Sequence, residues 1–316
     1  MDKKKPLVII AGPTASGKSA ISIALAKKIN GAIISADSMQ VYKYMDIGSA
    51  KIMPEEMEGV PHYLVDELMP EEEFHVARFQ EMAKKALDEI YEKGMIPIVV
   101  GGTGFYIQAL LYDIDFSEEP ENTAYRKELE KIGEEKGAQA LFDMLEKVDP
   151  KSCETIHKNN MKRVIRALEF YHNTGMPISL HNEEQREKES PYHFDFFVLT
   201  DEREKLYGRI DERVDKMMDM GLLDEVKQLK DMGYHKDMVS MQGLGYKEIL
   251  SYLMGECSLE DAIYTIKRDT RHFAKRQITW FKREKQVIWL NRSDYDQSSE
   301  KILQEMMMHI RKDILC

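Results

Sequence analysis

The chain has 316 residues, of which 43% are hydrophobic and 32% are charged, so it is long and apolar enough to fold into about two domains rather than stay disordered. Its 45 basic and 56 acidic side chains give a net charge of −11, which excludes a protein that coats nucleic acid through bulk positive charge. A local basic face is compatible with this balance.

Short apolar runs alternate with helical patterns along the first third of the chain. Residues 7–11, 31–36 and 95–100 are mostly apolar and rich in β-branched side chains, which is typical of strands buried on both faces. Helical patterns occupy residues 20–29 and 74–93 between them. Strands that alternate with helices predict a doubly wound α/β sheet.

The pattern changes at residues 117–190, where charged segments show helical periodicity and no strand pattern appears. The clearest helical segments are residues 128–135, 138–146 and 162–171. The last of these places Arg163 and Arg166 on one helix face, which is either a solvated surface or a site for anions. We predict an all-helical insertion here.

The strand pattern returns at residues 193–199 and again at residues 287–290, with helical segments between them. We therefore predict an α/β fold in which a parallel sheet, flanked by helices, is interrupted by the helical insertion. Residues 1–116 and 191–316 would form a discontinuous core, and residues 117–190 would form the insertion.

The cysteines and the apolar runs favour a protein of the reducing cytosol. Cys153, Cys257 and Cys316 form no Cys-x-x-Cys pair, so neither a disulfide framework nor a cysteine zinc site is predicted. The apolar run at residues 7–11 is too short for an export signal, and the uncharged residues 95–112 are interrupted by proline and glycine. We expect a cytoplasmic protein without a membrane segment.

A phosphate-binding loop (P-loop) lies between the first predicted strand and the first predicted helix. It matches Gly-x4-Gly-Lys-[Ser/Thr] and consists of Gly12, Pro13, Thr14, Ala15, Ser16, Gly17, Lys18 and Ser19. Backbone N–H groups and the helix N-terminus point at one anion there, Lys18 adds a positive charge, and the Ser19 hydroxyl can ligate Mg²⁺. The motif predicts a diphosphate or polyphosphate ligand and a P-loop NTPase-like sheet.

Asp37 is the best acidic candidate beside this loop. It ends the second predicted strand, and strand ends of open α/β sheets face the ligand crevice. The strand at residues 95–100, by contrast, is followed by Gly101-Gly-Thr-Gly104 without an acidic residue. Asp37 fits a general base, a group beside a bound metal or a turn residue, and spacing alone does not separate these roles.

Arg209 and Arg213 are spaced i and i+4 on a predicted helix, so they lie on the same helix face. They would either clamp a leaving phosphate or pair with Asp211, Glu212 and Asp215. The sequence leaves both alternatives open.

Residues 266–285 form a basic segment on this acidic chain, with eight basic side chains against two acidic ones and a local charge of +6. The cations are Lys267, Arg268, Arg271, Lys275, Arg276, Lys282, Arg283 and Lys285. Near-helical spacing relates Ile266, Thr270, Phe273, Gln277, Trp280 and Phe281, which predicts that this face packs inward while the cations face outward. We expect this outer face to bind an RNA backbone.

Six motifs occur in a fixed order along nearly the whole chain. They are Gly12 to Ser19, Asp37-Ser-Met-Gln-Val-Tyr42, Met45-Asp-Ile-Gly48 with Ala50-Lys51, Gly101-Gly-Thr-Gly-Phe-Tyr106, Arg163-Val-Ile-Arg-Ala-Leu168 and Gly245-Tyr-Lys247. Together they resemble the bacterial tRNA dimethylallyltransferases, also called tRNA isopentenyltransferases. The resemblance implies transfer of a dimethylallyl group from its pyrophosphate to N6 of the adenosine just 3′ of the anticodon, in tRNAs that read codons beginning with U.

The resemblance also implies roles for individual residues. The P-loop would hold the pyrophosphate leaving group, with Mg²⁺ at Ser19, and Asp37 would accept the proton of the attacking adenine amine. The implied catalytic set is Asp37, Lys18, Thr103, Arg209 and Arg213. The reaction is then alkyl transfer rather than phosphoryl transfer.

The expected partner is the anticodon stem-loop of a tRNA, bound by a monomer. The expected RNA contacts are Asp37, Ser38, Met39, Gln40, Thr103, Arg126, Lys162, Arg163, Arg166, Arg276 and Lys282. The chain departs from the family pattern in three ways: Ser19 stands where threonine is frequent, Lys162 stands where glutamine is expected, and the Cys/His spacing of the eukaryotic zinc finger is absent. No zinc is predicted.

Two other functions remain open at this point. A P-loop kinase of a nucleoside or another small metabolite would use the same loop to hold ATP. A nucleotide-gated RNA-binding protein would use the basic surface without covalent chemistry. Entry of a labelled dimethylallyl group into RNA distinguishes the transferase from both.

Overall fold

The computed structural model describes residues 4–116 and 124–310, apart from the side chain of Arg186. The chain divides into two compact units, one of Met1–Leu111 with Pro191–Cys316 and one of Tyr112–Ser190. Ser117, the predicted start of the insertion, and Cys316 lie outside the described residues. Each unit has a buried apolar core of its own.

The larger unit is built on a parallel β-sheet. Its described strands are β1 (Lys5–Ala11), β2 (Gly31–Ser35), β3 (His62–Tyr63), β4 (Ile96–Gly101), β5 (Tyr192–Thr200) and β6 (Val287–Asn291). They run parallel in the order β3-β2-β4-β1-β5-β6. Five of them match the predicted strands, which confirms the α/β fold class, whereas β3 is too short to leave a periodic pattern.

Helices occupy most of the remaining described chain. They are α1 (Lys18–Ile29), α2 (Val76–Glu92), α3 (Gly104–Leu111), α4 (Ala124–Val148), α5 (Pro150–Cys153), α6 (Met161–Thr174), α7 (Ile178–Glu187), α8 (Arg203–Asp219), α9 (Leu222–Asp231), α10 (Tyr246–Leu253), α11 (Leu259–Phe281) and α12 (Ser299–His309). Among the described residues, no helix is both long enough and apolar enough to cross a membrane.

The two faces of the sheet carry different helices because neighbouring strand residues point to opposite sides. Val8, Ile10 and Phe197 share one buried cluster with side chains of α1 and α12. Phe196, next to Phe197 in β5, instead contacts Phe281 of α11 edge to face, with ring centroids 6.3 Å apart. Helix α11, which contains most of the basic segment, is thereby packed onto the sheet.

The smaller unit contains helices α4 to α7 and no strand among its described residues. Its longest helix, α4, is interrupted at Gly137, where φ is 80° and ψ is 170°. This interruption falls between the two predicted helical segments at residues 128–135 and 138–146, which are confirmed. Leu129 and Leu141 of α4 pack with Val164 and Leu168 of α6 in the core of this unit.

The glycine-rich turn after β4 lies directly against α11. A Cβ atom at Gly102 would lie 2.1 Å from Gln277 Nε2, and one at Gly104 would lie 2.1 Å from Trp280 Cδ1. Real Cβ atoms essentially never come so close to another atom, so a side chain at either position would have to displace Gln277 or Trp280. The close approach fixes this turn against the inner face of α11.

Replacing Gly104 tests this packing. Gly104→Ala is expected to lower the free energy of unfolding by about 1–3 kcal/mol, because the new methyl group must displace the Trp280 indole. Gly208→Ala is the matched control, because Gly208 lies in α8 with open space where its Cβ would be. That change is expected to stabilise the protein by about 0.5–1 kcal/mol. Urea unfolding measures both, and equal effects would contradict the packing.

Candidate active site

The carboxyl ends of β1, β2 and β4 meet at one edge of the sheet, and each is followed by a predicted site segment. The Ala36 N–H donates to Val100 O at 2.8 Å, and the Thr103 N–H donates to Ala36 O at 3.3 Å. These two bonds hold Thr103 beside Ala36, the residue that precedes Asp37. The structure therefore brings Asp37, Thr103 and the P-loop to the same edge.

The backbone of the P-loop has the conformation expected of an anion-binding loop. Gly12, Ala15 and Gly17 all have positive φ values, of 147°, 60° and 84°. A Cβ atom at Gly12 would lie 2.4 Å from the carbonyl oxygen of Leu199 in β5, so only glycine fits there. The predicted residues from Gly12 to Ser19 span the end of β1, the turn and the first residues of α1.

Lys18 is folded back onto this loop. Its ammonium group donates to Gly12 O at 2.9 Å and to Pro13 O at 2.7 Å. Burial lowers the pKa of Lys18 to about 7, while the negative charge of Asp37 opposes this shift and the positive charge of Arg213 adds to it. The three charged groups therefore lie within electrostatic range of one another.

Asp37 and Arg213 complete this charge cluster. Asp37 Oδ1 accepts the Met39 N–H at 2.8 Å, which fixes the carboxylate in an Asx-type turn. Burial lowers the pKa of Arg213, and the charge of Asp37 opposes that shift. Within the described residues, Arg213 donates no hydrogen bond, so its guanidinium is available to a ligand.

Arg209 lies one helical turn from Arg213 but, unlike Arg213, it is hydrogen-bonded to the P-loop backbone. Its Nε donates to Ala15 O at 3.0 Å, its Nη1 donates to Asp201 Oδ2 at 2.6 Å, and its buried Nη2 has no partner among the described residues. Burial raises the pKa of Asp201, but hydrogen bonds from Ser293, Arg209 and Gln297 outweigh it and hold the pKa at about 2. Arg209 is thus hydrogen-bonded to the backbone of the P-loop and to Asp201.

Two of the three acids that could pair with Arg209 and Arg213 bind another helix. Asp211 instead binds Arg271 of α11, and Asp215 binds Lys267 of α11 at 2.6 Å. Residues two apart on a helix point to different sides, so neither acid can face Arg209 or Arg213 while bridging to α11.

Sequence reasoning missed Arg292, which also supports the P-loop. Its Nη1 donates to Ser16 O at 3.4 Å, and its Nη2 donates to Gln297 O at 3.0 Å. A Cβ atom at Gly17 would lie 2.6 Å from the same Nη1. The sequence position of Arg292 could have indicated this role, because Arg292 directly follows β6 at the ligand-facing edge of the sheet.

Gln277 is a second residue whose role the sequence did not reveal. Its Oε1 accepts the Thr14 N–H at 3.0 Å, and its Nε2 donates to Gly102 O at 3.0 Å. The helical pattern predicted only that it faces inward, which is confirmed, since Gln277 is buried. No local pattern indicated that it joins two loops of the site.

Two motifs without an assigned role, residues 45–48 and 245–247, are joined by one buried hydrogen-bond network. The Glu225 carboxylate accepts the N–H groups of Asp46, Ile47 and Gly48, at 3.0, 2.7 and 3.1 Å. The fully buried Tyr246 donates its hydroxyl to Glu225 at 2.8 Å. The segments 45–48 and 245–247 are therefore paired structural elements, and Glu225 itself left no sequence signal.

The loop after β2 carries the predicted RNA contacts Ser38, Met39 and Gln40. Gln40 Nε2 donates to Ala50 O at 3.1 Å, so part of its amide already supports the next loop. Met39 packs against Gly243, where a Cβ atom would lie 2.5 Å from the methionine methyl. Their contacts to RNA stay predictions.

The basic segment is only partly an open cationic surface. Lys267 and Arg271 pair with acids of α8, so the prediction that all eight cations face outward is wrong for these two. Helix α11 ends at Phe281, so Lys282 lies just beyond it. Lys275, Arg276, Lys282, Arg283 and Lys285 are exposed.

In the smaller unit, the predicted RNA contacts lie on helices α4 and α6. Lys162, Arg163 and Arg166 are exposed on α6, whose opposite side is buried. Arg126 of α4 forms ion pairs with Glu169 at 3.1 Å and Glu130 at 3.3 Å. These four residues stay predicted RNA contacts.

No ready-made metal cage lies within the described residues, because none of their acidic, His and Cys side chains form a group of three that could hold an ion. Ser19 is exposed at the start of α1, next to Lys18. One hydroxyl beside an anion cradle fits Mg²⁺, which keeps several waters and is bound chiefly through substrate phosphates.

Comparison with known proteins gives consistent matches. The IPP transferase family model matches residues 40–284. The chain is 63% identical over 303 residues to a tRNA dimethylallyltransferase of Lachnoclostridium phytofermentans, with 96% of both chains covered. It is 46% identical to the tRNA isopentenylpyrophosphate transferase of Bacillus halodurans, with 96% of both chains covered and a TM-score of 0.72. A eukaryotic dimethylallyltransferase acting on tRNA is 33% identical with a TM-score of 0.83, covering 96% of this chain and 78% of its own.

Removing one hydroxyl tests the Glu225 network. Tyr246→Phe is expected to lower the free energy of unfolding by about 1–3 kcal/mol, because it removes a donor to Glu225 and leaves the Ser49 N–H, which binds that hydroxyl at 3.1 Å, unpaired. Tyr264→Phe, at a 62% exposed tyrosine, is the matched control and should change it by less than about 0.5 kcal/mol. If urea unfolding gave the same small change for both, Tyr246 would have no such role.

Proposed function

The chain belongs to the IPP transferase family, and on that premise we propose that it is a tRNA dimethylallyltransferase. It transfers a dimethylallyl group from dimethylallyl pyrophosphate to N6 of the adenosine 3′-adjacent to the anticodon, in tRNAs that read codons beginning with U, and it releases pyrophosphate. Membership of this family disfavours the small-molecule kinase and the RNA-binding protein without chemistry.

One observation carries the mechanism: Lys18, Arg213 and Asp37 lie within electrostatic range of one another beside the P-loop. Two cations suit the diphosphate of the donor substrate, and one carboxylate suits the amine of the acceptor. A kinase of the P-loop type needs the same cradle but transfers phosphorus, whereas here the diphosphate is the group that leaves.

The P-loop and its cations stabilise the departing pyrophosphate. As the bond between the allylic carbon and its oxygen breaks, both bonding electrons stay with the oxygen, and negative charge grows on the diphosphate. Lys18 leaves its carbonyl partners in the loop and, with Arg213, faces that charge. Arg209 and Arg292 hold the loop backbone in place from the other side.

Asp37 acts on the acceptor. The adenine N6 attacks the allylic carbon, a new C–N bond forms, and N6 loses one proton to the Asp37 carboxylate. The Met39 N–H holds one carboxylate oxygen, which leaves the other oxygen for the substrate amine. Thr103 lies close to the same turn through its bond to Ala36 and contacts the RNA there.

We propose Mg²⁺ as the metal of this site, held by Ser19 and the oxygens of the diphosphate. When bound, the ion neutralises part of the charge that develops on the leaving group. The Ser19 hydroxyl at the start of α1, and the lack of a carboxylate cage among the described residues, both fit an ion that arrives with its substrate.

The tRNA contacts both units in this proposal. The target adenosine leaves the anticodon-loop stack to reach the site, while basic side chains bind the backbone around it. The proposed contacts are Arg276 and Lys282 in the larger unit and Arg126, Lys162, Arg163 and Arg166 in the smaller unit. The protein acts in the cytoplasm as a monomer.

A direct assay tests the reaction. Dimethylallyl pyrophosphate labelled in its prenyl carbons is incubated with an anticodon stem-loop that has adenosine 3′ of the anticodon. Label should enter the RNA with an equal amount of pyrophosphate released, and a stem-loop with purine riboside at that position, which lacks the amine, should take up none. Phosphate transfer from ATP without prenylation would overturn the proposal in favour of a kinase.

Asp37→Asn tests the general base. The amide cannot take a proton, so kcat should fall by about 10²–10⁴-fold, while the KM for dimethylallyl pyrophosphate should change by less than about threefold. Asp88→Asn, at a carboxylate 70% exposed near the other end of the sheet, should leave both constants unchanged. Full activity of Asp37→Asn would exclude the base role while leaving the transferase function intact.

Charge reversal tests the α11 surface. The pair Arg276→Glu and Lys282→Glu should weaken stem-loop binding at least about tenfold at low salt and flatten its salt dependence, because two phosphate contacts are lost. Lys5→Glu, at the amino end of β1, is the control and should leave affinity unchanged. Fluorescence anisotropy across a salt series measures this, and wild-type affinity in the double variant would reject the surface.

A further inference from the structure

Gln277 connects two loops that the proposed reaction assigns to different substrates. Its carboxamide is only 7% exposed and makes both of its bonds to backbone groups, the Thr14 N–H in the P-loop and the Gly102 carbonyl after β4. One loop holds the pyrophosphate. The other contains Thr103, whose N–H binds Ala36 next to Asp37 and which the proposed function assigns to the RNA.

The chemistry of the two contacts requires a carboxamide. The Thr14 N–H needs an acceptor and the Gly102 carbonyl needs a donor, and Gln277 supplies one of each from a single planar group. The absence of a Cβ at Gly102 makes this geometry possible, since a Cβ would lie 2.1 Å from Gln277 Nε2. A carboxylate of the same shape would keep only the first contact, and a thioether of similar length would keep neither.

The opposite face of the same helix is the basic surface. Lys275 and Arg276 precede Gln277 in α11 and are exposed, while Gln277 points inward. Because a helix is a rigid element, RNA bound to the outer face holds in place the side chain that orders the two inner loops. Pyrophosphate bound in the P-loop holds the same side chain in place through the Thr14 N–H, which Gln277 accepts.

We propose, resting on the function above, that Gln277 is a positioning residue that couples the pyrophosphate loop to the RNA loop, so that each substrate orders the binding site of the other. Coupling of this kind is reciprocal: pyrophosphate tightens RNA binding by the same factor by which RNA tightens pyrophosphate binding. Gln277 touches neither substrate.

The test measures coupling rather than activity alone. Stem-loop affinity is determined by anisotropy with and without saturating inorganic pyrophosphate and Mg²⁺. In the wild type, pyrophosphate should tighten RNA binding at least about fivefold. In Gln277→Met the factor should fall below about twofold, and kcat should fall by about 10- to 100-fold, because the loops no longer hold both substrates in reacting geometry.

Two further variants keep the test decisive. Thr279→Val, on the same helix but exposed, with its hydroxyl bound to Lys275 O, should retain wild-type coupling and kcat. If Gln277→Met fails to fold, Gln277→Glu, which keeps the acceptor for Thr14 and loses the donor to Gly102, should show the same loss of coupling. Wild-type coupling in either folded Gln277 variant overturns this inference, whereas a wild-type protein that does not prenylate RNA overturns the proposed function instead.

Discussion

An excess of positive charge at the carboxyl edge of the sheet, on two half-buried side chains, is the constraint on which this site depends. Lys18 and Arg213 share the field of one carboxylate, Asp37, yet neither forms an ion pair with it among the described residues. Lys18 is held only by neutral groups of its own loop, and Arg213 donates no hydrogen bond among the described residues, so an anion that arrives from outside suits both charges. In the proposed reaction a diphosphate supplies that charge, and Asp37 receives a proton rather than neutralising a lysine.

The remainder of the larger unit keeps this arrangement in place. The parallel strands bring three loop segments to one edge, and Arg209 and Arg292 hold the backbone of the P-loop through Ala15 and Ser16. Asp201 and the Ala15 carbonyl bind Arg209, whereas Arg213 donates no hydrogen bond among the described residues. The two arginines, one turn apart on α8, therefore have different contacts.

Local patterns were sufficient for the strands and for the positions of the P-loop and Asp37, because each depends on residues close together in the sequence. They were not sufficient for Gln277, which contacts Thr14 from 263 positions away, or for Glu225, which accepts three N–H groups from a distant loop. The same limit explains why the sequence left the partners of Arg209 open, because Asp211 and Asp215 pair with another helix. Contacts between a side chain and a remote backbone leave no periodic signal.

The position of bond cleavage tests the central claim most directly. Dimethylallyl pyrophosphate is labelled with ¹⁸O at the oxygen that bridges the allylic carbon and phosphorus, and the products of its reaction with the stem-loop are analysed by mass spectrometry. If the P-loop and its cations hold the departing diphosphate, all of the label appears in the released pyrophosphate and none in the modified RNA. Label retained with the prenyl group, or a phosphoryl group found on the RNA, would contradict the account.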